Sequence, residues 1–151
     1  MHSQKKIKYN FNDSLGFIVV KTGRLIENRL RYNFEEKNIS ITPQQWAVLT
    51  YLWNEDGISQ QKIANVFSKD KTSITRLLNN MEKNGFIIRK QGVKDRRNKN
   101  IFLTNSSKEL KEKSIQVAQE TLSEIIDGID SSNLKMSKQI LKEICSNINR
   151  L

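Results

Sequence analysis

The chain has 151 residues, a length that fits one domain and can bury a real core. Its formal net charge is +10, and one cysteine and one distant histidine, His2, make neither a disulfide framework nor a metal site. No run approaches the roughly 20 apolar residues that span a bilayer, and no signal-like run follows the N-terminus, so a reducing, cytoplasmic setting is expected.

The charge is unevenly spread. Lys69 to Lys99 holds ten Lys or Arg against three Asp or Glu, a net +7. Residues 1–40 carry +4, residues 41–68 carry −1, and residues 100–151 are neutral. A localised basic patch indicates a polyanionic partner.

Residues 1–10 read as a polar, basic arm. From about Asn12 a long helix is predicted, ending near Asn38. Leu15, Ile18, Val19, Thr22, Ile26, Leu30 and Phe34 recur at spacings of three and four. Gly16 and Gly23 lie on one side of it. They either allow a close helix crossing or are simply tolerated, at about 1 kcal/mol each. Ser40 to Gln45 is a helix start, with Thr42 and Gln45 as a capping box and Pro43 in the first turn. Trp46, Val48, Leu49, Leu52 and Trp53 supply apolar surface. The two tryptophans are read as core or interface rather than as a ligand box. Ser59 caps the next helix, whose Ile63, Ala64 and Phe67 face inward.

A second short helix begins near Asp70, which can cap it. Ile74, Leu77, Leu78 and Met81 form one stripe. The opposite face presents Lys71, Thr72, Ser73, Thr75, Arg76 and Asn79. Short hydroxyls let a helix approach a groove closely, and Arg76 is long enough to reach a base edge or a phosphate. By itself this is also the pattern of an ordinary amphipathic helix with a solvated polar face. Gly85 is a stop signal.

Two β-prone runs follow, Phe86-Ile87-Ile88 and Ile101-Phe102-Leu103. The segment between them, Arg89 to Asn100, is read as a loop. It holds six cations and one acid. Such a loop needs neutralisation from outside, which phosphates supply. Helix-turn-helix plus hairpin is the arrangement of a winged helix.

Here the sequence resembles the multiple-antibiotic-resistance regulator (MarR) family of bacterial repressors. Three pieces carry the resemblance: Asp70 to Arg76, Met81 to Ile87, and Asp95-Arg96-Arg97 with the downstream Leu103-Thr104. The last is similar to the family's wing signature, D-x-R followed by L-T. The specific match covers about 60 residues, Ile41 to Thr104.

The resemblance implies a mainly α fold with a small β-hairpin wing, in a single MarR-like domain over residues 1–151. Residues 41–104 would be the winged helix-turn-helix lobe, and residues 12–38 and 105–151 the dimerisation helices. It implies a homodimeric, sequence-specific double-stranded DNA-binding repressor of a pseudo-palindromic operator. Relief would come from a small effector, often an aromatic anion, bound between the dimerising helices and the lobe. Contacts would come from Lys71, Thr72, Ser73, Thr75, Arg76 and Asn79 on the helix. The wing would add Lys94, Asp95, Arg96, Arg97 and Lys99, with Arg97 in the minor groove and Asp95 orienting it. The alternative is a non-specific nucleic-acid-binding protein without an effector.

After Thr104 one long helix is expected, capped by Thr104, Asn105 or Ser106. Leu110, Val117, Leu122, Ile125 and Ile126 form its stripe. Gly128 to Asn133 reads as a turn. A last helix carries Leu134, Ile140, Leu141, Ile144, Cys145, Ile148 and Leu151. Cys145 falls on its apolar face, so burial and an inert thiol are expected. The small winged core cannot cover all these apolar residues, so the two ends need a partner. No P-loop, G-x-G-x-x-G, C-x-x-C or histidine-based triad is present, so an enzyme is not expected, and no cofactor is implied.

Overall fold

A computed structural model describes residues 10–67, 69–92 and 97–151. A short 3-10 turn, Phe11–Asp13, leads into α1 (Leu15–Glu36). Then come α2 (Pro43–Asn54), β1 (Ile58–Ser59), α3 (Gln60–Val66) and α4 (Lys71–Lys83). The hairpin is β2 (Ile87–Gln91) and β3 (Lys99–Leu103). The chain closes with α5 (Asn105–Glu109), α6 (Lys111–Ile125) and α7 (Ser131–Ile148). No helix among the described residues is long and apolar enough to cross a membrane.

The helix starts follow local chemistry. At α2 the Thr42 hydroxyl accepts from Gln45 N (3.1 Å), and Gln45 Oε1 accepts from Thr42 N (2.9 Å). Both donors lack partners in the first turn of any helix, so the capping box satisfies them reciprocally. Ser59 caps α3 through Lys62 N (3.2 Å). Asp70 caps α4 through Ser73 N (2.8 Å). The helix stops are equally local. Gly85 takes φ +74°, with Phe86 N donating to Met81 O (2.9 Å) and Gly85 N to Glu82 O (3.0 Å). That double bond closes the last carbonyls of α4. Asn38 does the same for α1 at φ 54°, which turns Ile39 into the core.

Local signals misplace several boundaries. The basic segment is not all loop: β2 runs on through Arg89, Lys90 and Gln91, and Lys99 already belongs to β3. Phe86 precedes the strand rather than opening it. A third strand joins the hairpin. β1 pairs antiparallel with β3, Ile58 opposite Ile101, giving the order β1-β3-β2. Gly57 makes that approach possible. It sits at φ +76°, and a Cβ there would lie 2.6 Å from the Phe102 ring. The single helix expected after Thr104 is two, broken at Leu110. Thr104 is the cap, accepting from Ser107 N (3.3 Å). The last turn ends sooner than expected, because Asp130 caps α7 through Ser132 N (2.9 Å) and Asn133 N (3.3 Å).

The core gathers one stripe from each element of residues 30–103. Ile63, Ile74, Leu78, Met81, Ile87 and Ile101 are all fully buried. Leu77 of the predicted α4 stripe is half-buried against them. Both tryptophans pack on this core. Trp53 Nε1 donates to Ser107 O (3.2 Å), while the buried Trp46 Nε1 has no hydrogen-bond partner among the described residues. The Trp46 ring lies 6.1 Å from that of Phe34 on α1.

α1 meets α6 along a polar seam. Arg29 Nε donates to Glu124 Oε2 (2.7 Å), and Asn33 Nδ2 donates to Thr121 Oγ1 (2.8 Å) and Glu124 Oε2 (3.2 Å). The hydrogen bonds from Arg29 and then Asn33 hold the Glu124 carboxyl below its ordinary range. Leu30 and Phe34 anchor the end of α1, but Leu15, Val20 and Leu25 are exposed. A Cβ at Gly16 or Gly23 would meet nothing within 4 Å, so none of the described helices crosses there. α7 buries no residue at all. Cys145 is exposed, contrary to the burial expected from its apolar neighbours. An apolar helix face buries its residues only when something covers it, and nothing among the described residues covers α7.

Candidate nucleic-acid interface

The site is built on α4, held by its buried stripe so that its polar face looks outward. Lys71, Thr72, Thr75, Arg76 and Asn79 line one shallow surface groove. Ser73 lies to the side, in a cleft with Thr42, Gln44, Lys69, Arg76 and Asn80 at the start of α2. Arg97 and Lys99 come to the other side. They line a cleft of about 230 Å³ with Lys71 and with Ser59, Gln60 and Gln61 of the α3 start. Lys94, Asp95 and Arg96 lie outside the described residues.

The hydrogen bonds divide the polar face into two groups. Ser73 is committed to the helix start, since its N–H and its hydroxyl (2.6 Å) both donate to Asp70. The Ser73 hydroxyl is the main reason the Asp70 carboxyl sits below its ordinary range, and the backbone N–H adds to it. Thr75 is a brace between helices. Its hydroxyl donates to Lys71 O (2.7 Å) and accepts from Gln60 Nε2 (2.7 Å). Asn79 Oδ1 accepts from Arg89 Nη2 (2.8 Å). Among the described residues, Lys71, Thr72 and Arg76 make no such bond, and they are exposed on the groove.

Arg89 corrects the charge reading of the segment. The sequence places it among cations that need an outside anion, yet Glu82 of α4 neutralises it. Nη1 donates to Glu82 Oε2 (2.5 Å) and the Arg89 backbone N–H to Glu82 Oε1 (3.2 Å), and its side chain is only 11% exposed. This pair ties β2 to α4. Lys90 stays beside the Phe102 ring, 5.2 Å from its centre. Gly92 N donates to Asn98 O (2.9 Å) and brings the two strands together at the tip.

Sequence reading missed Gln60, Gln61 and Asn98 as parts of this surface, and Arg89 as its fastener. A glutamine pair at a helix start carries no signal of its own. Only the packing of α3 on α4 turns it toward Lys71. Among the described residues, no group of His, Cys, Asp and Glu side chains could hold a metal ion.

A helix packed on α3 and on the hairpin strand β2, with basic residues flanking it, defines a winged helix-turn-helix protein. Residues 41–99 match the model of the MarR family. A structure of a MarR-family regulator from Listeria monocytogenes, complexed with a 26mer DNA, superposes with a TM-score of 0.78 at 25% identity, covering 89% of each chain. CouR from Rhodococcus jostii RHA1, bound to p-coumaroyl-CoA, has the same fold, with a TM-score of 0.76 at 18% identity over 91% of this chain and 95% of CouR. The transcriptional regulator TtmR of Methylorubrum extorquens is 29% identical over 106 residues, 70% of this chain, which spans about half (52%) of TtmR. The lobe around α4 carries a match to the MarR family over residues 41–99, and the chain as a whole has the fold of that family's regulators.

Proposed function

We infer that the chain is a homodimeric repressor that reads a pseudo-palindromic operator in double-stranded DNA. One observation carries this reading: the exposed groove face of α4, with Lys71, Thr72 and Arg76 uncommitted, lies beside the cations of the wing. A helix of this kind enters the major groove, and wing cations follow the phosphates beside it. Two copies would bring two such faces to half-sites one helical turn apart. The exposed apolar faces of α1 and α7 are what the second copy would cover.

Lys71, Thr72, Ser73, Thr75, Arg76 and Asn79 are assigned to the major groove side, with Ser73 and Thr75 acting through helix geometry. Lys94, Arg96, Arg97 and Lys99 are assigned to the backbone and minor groove, with Asp95 as the partner that orients Arg97. Relief of repression is assigned to a small aromatic anion between α1 and the lobe. A cleft of about 100 Å³ lies there, lined by Val48, Phe67, Leu77 and Lys69 with Glu27 of α1. It is below the roughly 300–1,000 Å³ of ordinary ligand pockets, so it suits a single ring better than a coenzyme thioester.

The commitment of Ser73, Thr75 and Asn79 to internal bonds favours a second reading, a non-specific nucleic-acid binder. Enrichment of random duplexes by the purified protein separates the two. A shared inverted repeat, bound by anisotropy far more tightly than a scrambled duplex, is the expected result. Equal affinity for both duplexes, with the same salt slope, would leave only the non-specific reading.

A further inference from the structure

Asn80 of α4 has only hydrogen-bond donors left to give, and a backbone N–H fixes this. The Thr42 N–H can only donate, so the Gln45 atom it meets at 2.9 Å is the oxygen, Oε1. The other end of that amide is Nε2, which donates to Asn80 Oδ1 (2.8 Å). Asn84 Nδ2 donates to the same oxygen (3.0 Å). An amide oxygen has two lone pairs, and both are engaged. Gln45 is 5% exposed, so releasing Asn80 would leave a buried donor unsatisfied.

What remains of Asn80 is Nδ2, whose hydrogens have no partner among the described residues. Asn80 lines the cleft between α4 and the start of α2 with Lys69, Arg76 and Thr42. The Thr42 hydroxyl accepts from Gln45 N and keeps its own proton to give. Among the described residues no carboxylate lines this cleft. Asp70 adjoins Lys69 in the chain, but its two oxygens accept from the Ser73 N–H and hydroxyl. A phosphodiester matches such a set, because it carries negative charge and offers acceptors alone. A helix in the major groove has a sugar–phosphate backbone on each side, and the wing cations occupy one side only. We propose that Asn80 and Lys69 seat a backbone phosphate of the operator on the α2 side of α4. This rests on the DNA-reading function inferred above. It adds a contact that sets where α4 stands over the bases without reading them.

The test replaces single phosphates of an enriched operator with neutral methylphosphonates. Binding by anisotropy is compared for the wild-type protein, Asn80→Ala and Lys69→Gln, each first checked for helicity and melting. Neutralising one position in each half-site should weaken the wild-type protein about 10-fold, the size of a hydrogen bond to a charged group. Both variants should lose much less at that position, because the contact is already gone. On unmodified duplexes both should lose affinity for operator and scrambled sequence alike, with base preference unchanged on enrichment. Lys69→Gln should also lower the salt slope by about 0.9, and Asn80→Ala should not. If Asn80→Ala melts early for want of the Gln45 acceptor, the exposed Lys69→Gln carries the comparison. Losses that simply add at every phosphate position would overturn the proposal, as would a changed base preference in a stably folded Asn80→Ala. If losses add and inorganic phosphate, against chloride at equal ionic strength, displaces the wild-type protein more readily than the variants, the cleft belongs to a free anion instead. These outcomes leave sequence-specific binding itself intact. Failure of the wild-type protein to enrich any shared site would overturn the DNA-reading function, and this proposal with it.

Discussion

The winged lobe and the terminal helices use similar apolar residues in opposite ways. In the lobe, Ile74 and Leu78 of α4 and Ile101 of β3 are fully buried, each against elements distant in sequence. In α7, Ile140 and Ile148 recur at helical spacing just as regularly, yet they are 48% and 62% exposed. Leu25, midway along α1, is 58% exposed. The lobe closes its core within one chain, whereas the ends of the molecule present apolar surface outward. A contiguous exposed apolar surface marks an interaction site rather than a failed core. The lobe therefore carries its own stability, and the terminal helices draw theirs from what they meet.

The sharpest break of this contrast is a pair of charges on α7, Leu141→Asp with Ile148→Asp. Sedimentation should show a monomer with the lobe still folded. Operator affinity should fall about 100- to 10,000-fold, because the second half-site no longer benefits from tethering. A variant that remains dimeric and binds as before would remove α7 from the interface. Next in size are core truncations of the lobe. Ile74→Ala or Leu78→Ala should cost about 2–5 kcal/mol in denaturant unfolding, the usual range for a fully buried aliphatic side chain. Leu25→Ala should change the unfolding of a monomeric variant far less, since it removes little buried surface there. Comparable losses would mean that α1 is as well packed as the lobe.

Arg76→Ala acts on function rather than folding. It should cost about 1–3 kcal/mol on a selected operator and less on a scrambled duplex, with unchanged melting. Equal losses on both would assign Arg76 to phosphate contact. The smallest effect is on the acid limb of the stability curve. Asp70 and Asp130 both cap helices and both lie below the ordinary carboxylate range, each chiefly through a serine hydroxyl, Ser73 and Ser132. A depressed carboxyl stabilises the fold above its unfolded pKa, and that contribution disappears as pH falls through the folded one, below about pH 4. Asp70→Asn should flatten the acid limb of lobe unfolding. Asp130→Asn should do so only when the dimer keeps α7 in the cooperative unit, which pH-dependent melting of dimeric and monomeric forms can resolve.

What was legible in the sequence was local. The Thr42–Gln45 box, the Asp70 cap, the Gly85 stop and the Ile74–Met81 stripe each depend on residues within about one or two helical turns. Their partners are on the page of the sequence, so spacing alone identifies them. The resemblance carried by Asp70 to Thr104 added the winged lobe, because its motif residues sit on that same local frame.

Tertiary structure alone decided the pairings between distant segments. No pattern near Ile58 announces a strand, because β1 exists only where Gly57 lets it lie against β3. Nothing in the basic run marks Arg89 as different from Lys90, yet one meets Glu82 and Asn79 while the other lies by Phe102. Thr75 was read as a groove hydroxyl, and only the packing of α3 makes it a brace to Gln60. Cys145 failed in the same way, since periodicity names the apolar face of a helix but not what covers it. Periodicity records which side of an element is apolar. Whether that side is buried, and which polar groups on the other side are already spoken for, depends on partners that are remote in the chain and meet only when it folds.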